Sequence, residues 1–193
     1  MLEAIASITG LVSVVLAARM HVLNWPIGIV SVVCYFVLFW DAKLYADAIL
    51  QALFAVLCFW GWFAWSPGRI SPGAVPFSKP VSNMTRADAL GTAVLTPLVL
   101  LGIGFILQNG TDSPVPWFDA LIVSLSLLAT ALQARWRIEC WFVWMAVDIV
   151  ATPVYWTRAL PLTAVLYAIF ACICVRGWFA WNAVRRNLEL NLA

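Results

Sequence analysis

The sequence predicts an all-α integral membrane protein of seven transmembrane helices. Three observations carry this: 64% of the residues are apolar and only 10% charged, long uncharged apolar runs recur along the whole chain, and the first part of the chain returns in the last. A soluble domain would hold about 45–50% apolar and about 25% charged residues, so water is not this chain's main solvent. In hydrocarbon every backbone N–H and C=O must find its partner without help from water, which leaves helices for runs of this length. Roughly 20 helical residues cross the roughly 30 Å apolar layer.

The first run, Leu2–Ala18, has Glu3 in its first turn and no basic region ahead of it, and reads as a span and not as a cleaved signal. The second, Val22–Trp40, carries Pro26 near its start, where a proline can open or kink a helix, and the third is Leu44–Trp65. Ser66–Arg86, with Pro67, Pro72, Pro76, Pro80 and two glycines, is expected to be a linker. The fourth run is Ala87–Leu107 with Pro97 in its middle, and the fifth is Trp117–Ala134. The sixth is Ile138–Trp156, with Pro153 near its end, and the seventh is Leu160–Trp181. Seven spans leave Lys43 and Arg158 on one side and Arg19, Arg69, Lys79, Arg86, Arg135, Arg137, Arg176, Arg185 and Arg186 on the other. Basic residues collect on the inner face, so the N-terminus is expected outside and the C-terminus in the cytoplasm, in the plasma (inner) membrane.

The repeat runs at an offset of 116 residues, where Gly61-Trp62-Phe63-Ala64-Trp65 returns unchanged as Gly177-Trp178-Phe179-Ala180-Trp181. The same register pairs Arg19 with Arg135, Trp25 with Trp141, Trp40 with Trp156, Leu50 with Leu166, Phe54 with Phe170 and Cys58 with Cys174. Two three-helix units joined directly would face opposite ways, and one extra span restores a common orientation. The expected plan is therefore a 3+1+3 parallel repeat of the SWEET-like kind, with the site between the repeats near the midplane. Its parts are a first bundle over residues 1–66, a linker and inverting helix over 67–116, a second bundle over 117–182 and a cytoplasmic tail over 183–193.

Several function classes are excluded at this stage. A net charge of +2 with scattered basic residues makes no stripe that could follow nucleic acid. His21 is the only histidine, so paired-His haem ligation and HExxH zinc chemistry are out, no Ser or Cys has a base beside it, and neither catalytic residues, metal nor cofactor is expected. The five cysteines, Cys34, Cys58, Cys140, Cys172 and Cys174, lie in or beside apolar runs and read as packing.

What remains are polar groups that are costly where they stand. Asp148 lies well inside the sixth span, where a carboxylate costs about 2.5–3.5 kcal/mol on insertion scales. It is either a ligand contact, a protonatable switch or one end of an interhelical hydrogen bond. Trp144 and Trp141 precede it by four and seven residues and share its face, which Tyr155 extends. Asp47 and Gln51 share a face of the third span; Gln51 pairs with Tyr167 in the repeat, so each half offers a polar group at one depth. Asn24 and Ser31 in the second span are candidates too, against a helix-start cap and small-residue packing. Trp40, Trp65, Trp117, Trp136, Trp156 and Trp181 sit at span ends, where an interfacial belt is expected; Trp62 and Trp178, one turn in, read as packing. Trp25, Trp141 and Trp144 could stack a flat cationic ring. Aromatic faces, a buried carboxylate and neutral amides or hydroxyls suit a ligand with a charged ring and several hydroxyls.

Asn24-Trp25-Pro26-Ile27-Gly28, Leu44-Tyr45-Ala46-Asp47 with Leu50-Gln51, and Gly61-Trp62 with Trp65 together resemble the first-half signature of the PnuC family of nicotinamide riboside transporters. Glu139, Trp141, Trp144, Asp148, Tyr155, Leu166-Tyr167, Phe170 and Gly177-Trp178 with Trp181 are similar to its second half. The resemblance covers spans one to three and five to seven. It implies a homotrimeric carrier for facilitated diffusion of a small B-vitamin-like solute, made one-way by a cytoplasmic kinase that phosphorylates the substrate. It also implies a site between the bundles at Gln51, Trp141, Trp144, Asp148 and Tyr167, with Asp47, Asn24 and Trp25 as further candidates. Ser31 stands where some members have an amide and Asp148 where some have Asn, so nicotinamide riboside, thiamine and riboflavin all stay open as the vitamin. Ion coupling through Asp47 or Asp148 stays open as well, as does a substrate-binding subunit of an ATP-driven importer.

Overall fold

The structure is a computed structural model that describes residues 2–41, 45–66, 81–111, 114–157 and 161–192. Within these, the side chains of 45–47, 155, 161–163, 188, 189, 191 and 192 fall outside the description, and so do the linker residues 67–80. Among the described residues there are seven helices: α1 Leu2–Ala18, α2 Asn24–Asp41, α3 Tyr45–Trp65, α4 Arg86–Gly110, α5 Pro116–Ala134, α6 Cys140–Thr157 and α7 Pro161–Leu192. Five of them, α2, α3, α4, α5 and α7, are long and apolar enough to cross a membrane, while α1 and the Cys140–Val154 stretch of α6 are shorter apolar helices.

Local chemistry explains the ends. Thr85 caps α4 through a capping box, its hydroxyl accepting from the Asp88 N–H while the Asp88 carboxylate accepts from the Thr85 N–H. Pro116 opens α5 at a position where a missing N–H costs nothing. Pro26 sits in the first turn of α2, consistent with a helix opening there, and Pro97 and Pro153 lie inside α4 and α6. The seventh helix departs from expectation. It does not stop at Trp181 with a separate tail, but runs 32 residues to Leu192. From Asn182 onward there is no Gly or Pro to end it, and about 48 Å of helix exceeds what the apolar layer can cover.

Helices α1 and α5 end in the same turn. Met20 (φ 56°) and Trp136 (φ 59°) both hold the left-handed conformation. In each, the next residue's N–H reaches back five positions, His21 to the Leu16 carbonyl at 2.9 Å and Arg137 to the Leu132 carbonyl at 3.0 Å. Met20 and Trp136 themselves donate to the Ala17 and Gln133 carbonyls at 2.9 and 3.0 Å. Glycine normally fills this position, so each costs on the order of 1 kcal/mol that packing must offset.

Helix α2 packs between α1 and α3, and α6 between α5 and α7; α3 also meets α5, α7 meets α1, and α4 lies on α5. Two close helix pairs are built the same way. The Trp25 indole lies over Gly61 of α3 and the Trp141 indole over Gly177 of α7, each in a notch that a Cβ would fill. Trp25 meets Trp65 edge-on at 5.3 Å and Trp141 meets Trp181 edge-on at 5.6 Å. Trp65 then stacks on Trp136 at 3.8 Å and lies 5.8 Å from Trp181, which closes a tryptophan core at the end of the molecule that carries Arg19, Arg135 and Arg185.

This corrects the reading of the span-end tryptophans. Trp40, Trp117 and Trp156 are exposed, as an interfacial belt requires, but Trp65 and Trp181 are buried and Trp136 is half-buried against them. Sequence spacing puts all six at helix ends; only the packing of α3 and α7 against the opposite bundle turns three of them inward. Trp62, read as packing, has an exposed ring.

Ahead of α4, Ser82 pairs with the α5–α6 turn, its N–H donating to the Trp136 carbonyl at 3.2 Å and its carbonyl accepting from Ile138 at 3.1 Å. Arg137 bonds the Ser82 hydroxyl at 2.6 Å, Glu139 accepts from the Met84 N–H at 2.9 Å, and Arg185 bonds Asn83. Asp88 receives Arg135 and Arg137, both at 2.9 Å. The α5–α6 turn is thereby strapped down.

Candidate functional site

Among the described residues Asp148 is the most deeply buried carboxylate, 3% exposed. One helical turn separates it from Trp144 on α6, and Cys174 of α7 donates to its carboxylate at 3.5 Å. A thiol is a weak donor and a carboxylate has about four acceptor sites, so among the described residues this contact leaves most of its capacity open. Thr152 adds only a bond to the Asp148 backbone carbonyl at 2.7 Å.

Trp144 is half-buried, and its indole N–H donates to the Gln133 side-chain carbonyl at 3.0 Å. The Gln133 amide nitrogen donates in turn to Asn24 Oδ1 at 3.3 Å, and the Asn24 amide donates to the His21 carbonyl at 2.9 Å. Ser13 bonds the Asn24 carbonyl at 2.7 Å. An indole N–H can only donate and a backbone carbonyl can only accept, so both amides have a single orientation that satisfies the chain. Ser31, another candidate, bonds the Ala6 carbonyl at 2.7 Å and joins α2 to α1.

The expected site residues therefore sort by place. Asp148 and Trp144 share one face of α6, and Asn24 reaches Trp144 through Gln133. Trp25 and Trp141 are seated in their glycine notches, 2% and 1% exposed, where protein covers the rings. Gln51 on α3 and Tyr167 on α7 are half-buried, the latter with its ring edge-on to Phe170 at 5.8 Å. The side chains of Asp47 and Tyr155 lie outside the described residues. A groove of about 220 Å³ between α4 and α5, lined by Asp88, Gly91, Thr96, Ser124, Leu128 and Arg135, has no wall on α6 or α7 and is separate from Asp148.

The family model described as nicotinamide mononucleotide transporter matches residues 1–183. The chain belongs to that family. Its curated relatives include the nicotinamide riboside transporter PnuC of Escherichia coli K12, 23% identical over 96% of this chain and 87% of that protein. The riboflavin/roseoflavin transporter RibM of Streptomyces davaonensis is 25% identical over 93% of this chain and 83% of its own. The nicotinamide riboside transporter PnuC of Neisseria mucosa is 24% identical over 94% and 72%. Among solved structures, a crystal structure of the vitamin B3 transporter PnuC superimposes with a TM-score of 0.74 at 22% identity, covering 96% of this chain and 82% of that one. These are transporters and not enzymes, and the non-enzymatic reading stands with them.

Within this member of the nicotinamide mononucleotide transporter family, two site-side residues escaped the sequence reading. Gln133 carries a signal: Ser126, Thr130 and Gln133 recur at helical spacing on one face of α5, all buried. Ser126 and Thr130 turn their hydroxyls back onto their own helix, leaving Gln133 as the side chain that reaches another. Cys174 had no such signal, since a thiol in an apolar run reads as packing until a carboxylate is found opposite it.

Proposed function

We propose that this chain is a seven-span carrier with a 3+1+3 parallel repeat, which moves a small B-vitamin-like solute, best matched by nicotinamide riboside, by facilitated diffusion. Support for the repeat comes from paired features 116 residues apart: the left-handed turns at Met20 and Trp136, the glycine seats of Trp25 and Trp141, and the indole bonds of Trp65 to the Gln133 carbonyl and of Trp181 to the Ala17 carbonyl. The reciprocal packing of α3 on α5 and α7 on α1 is what a two-fold axis along the membrane normal would produce. In this reading residues 1–66 and 117–182 are the two bundles, 67–116 joins them, and 183–193 is a cytoplasmic segment that α7 enters as far as Leu192.

The observation that carries the substrate reading is the buried Asp148 carboxylate one turn from the Trp144 ring. A carboxylate and an aromatic face together favour a cation with a flat ring, and nicotinamide riboside is a pyridinium. Asp148 offsets the charge, Trp144 stacks the ring, and Gln51, Tyr167 and Asp47 bind hydroxyls. Asn24, Trp25 and Trp141 hold the surrounding walls. Since Asp148 is 3% exposed, the bundles must part on one side and then on the other, and no covalent bond is broken. Phosphorylation by a cytoplasmic kinase would trap the imported vitamin, and a homotrimer in the plasma membrane with the arginine-rich end in the cytoplasm completes the reading. Riboflavin is the second reading, favoured by the likeness to RibM. Thiamine, also a flat cation, satisfies the same carboxylate.

Calorimetric titration of the purified protein with nicotinamide riboside, thiamine and riboflavin tests the choice, and uptake into liposomes holding this protein alone tests the mode. Tightest binding of nicotinamide riboside with ATP-independent uptake is expected. Uptake that demanded a proton gradient or a partner ATPase would replace facilitated diffusion.

A further inference from the structure

The geometry points to Gln133 as a positioning residue of the transport site: its carboxamide ties the ring of Trp144 in the second half to Asn24 in the first. This rests on the reading of Trp144 as the ring that stacks substrate. Gln133 is a junction twice over. Its backbone carbonyl accepts the Trp65 indole at 3.3 Å and the Trp136 N–H at 3.0 Å, while its side chain spans Trp144 at 3.0 Å and Asn24 at 3.3 Å.

The repeat supplies an internal comparison. The position 116 residues before Gln133 is Ala17, whose carbonyl accepts the Trp181 indole at 3.2 Å and the Met20 N–H at 2.9 Å in the same manner. The turn and the tryptophan core are thus built at both positions, and Ala17 builds them with no amide. Trp144 and Asn24 also have no like partner at this offset, which pairs them with Gly28 and Cys140. The Asn24–Gln133–Trp144 chain is therefore an addition to one half that the common fold does not need. It sits one turn from Asp148 and crosses between the halves.

Its consequence follows from the bonding. A tryptophan ring has two free torsions, and fixing its N–H fixes the plane offered to a ligand; because the fixing group is itself held by Asn24 of the first half, whose amide is anchored on the His21 carbonyl, the ring's orientation depends on how the halves sit together. Ligand stacked on Trp144 would then favour one arrangement of the halves over the other, and that differential affinity is what a carrier requires.

The test is a double-mutant cycle in purified protein, read as nicotinamide riboside affinity by calorimetry, with thiamine and riboflavin run alongside. Gln133→Ala copies Ala17, and Trp144→Phe keeps a stackable ring without the N–H. Each single variant is expected to lose about five- to tenfold in affinity, the worth of one or two buried hydrogen bonds, with a thermal midpoint lowered by only a few °C for Gln133→Ala. The double variant is expected to be no weaker than the worse single one, because the amide acts through the indole. Losses that multiply, or wild-type affinity in Gln133→Ala, overturn the positioning role. Gln133→Met, which keeps length and volume, is read the same way should Gln133→Ala fail to fold. Failure of the wild type to bind any of the three vitamins overturns the substrate reading and this inference with it, whereas wild-type binding with unaffected variants overturns this inference alone.

Discussion

Gly177→Ala should destabilise the protein although alanine is the better helix former. The added Cβ would stand 2.6 Å from Cη2 and 2.7 Å from Cε2 and Cζ2 of Trp141, three consecutive atoms along one side of the six-membered ring. Carbon atoms settle at about 3.5–4.0 Å, so the ring must retreat by about 1 Å. It cannot swivel away, because the ring lies across the glycine and meets Trp181 edge-on at 5.6 Å, with Trp141 only 1% exposed. Overpacking of this kind costs about 1–3 kcal/mol. Replacing a helical glycine returns about 0.5–1 kcal/mol, which leaves a net loss of up to about 2.5 kcal/mol. At about 2–4 °C per kcal/mol for a chain of this size, the thermal midpoint of the detergent-purified protein should fall, by up to about 10 °C. Gly61→Ala, against Trp25, should behave alike. Gly102→Ala on α4 is the control: nothing lies within 4 Å of its added Cβ, so only the helix gain remains and the midpoint should rise by about 1–4 °C. Equal midpoints for Gly177→Ala and Gly102→Ala would refute the glycine seats as close-packed contacts.

Three further outcomes are expected. Asp148→Asn keeps the side chain's volume and removes its charge, so nicotinamide riboside and thiamine should bind about 10- to 100-fold more weakly while riboflavin changes little; equal losses for all three in titration would mean that Asp148 supports the fold and not the cation. Asp88→Asn removes the charge that Arg135 and Arg137 share and one of its two acceptor oxygens, and because Arg135 is half-exposed the loss should be modest, about 1–2 kcal/mol, seen as a midpoint drop that shrinks in high salt. Reporters fused to the two ends should place the N-terminus outside and the C-terminus in the cytoplasm; both ends on one face would remove the odd span count and the parallel repeat that needs it.

The sequence alone determined the solvent and the elements. A chain with 64% apolar residues has to hide its backbone polar groups in helices, and all seven were legible, every end within a few residues except the far end of α7, because length and hydropathy are local properties while the run past Trp181 is polar. The repeat was legible as well, since a duplicated pentapeptide needs no structure to be seen. Asp148, Trp144 and Asn24 stood out because a polar or aromatic group inside an apolar run is costly wherever it points. Direction is what the sequence could not supply. Whether Trp65, Trp136 and Trp181 face lipid or one another depends on which helices lie opposite, and that is decided by α3 meeting α5 and α7 meeting α1 across about 70 to 160 residues of chain. For the same reason Gln133 and Cys174 acquired meaning only through Trp144 and Asp148, partners that no spacing rule puts beside them. Helical period fixes which residues share a face; tertiary packing alone fixes what that face meets.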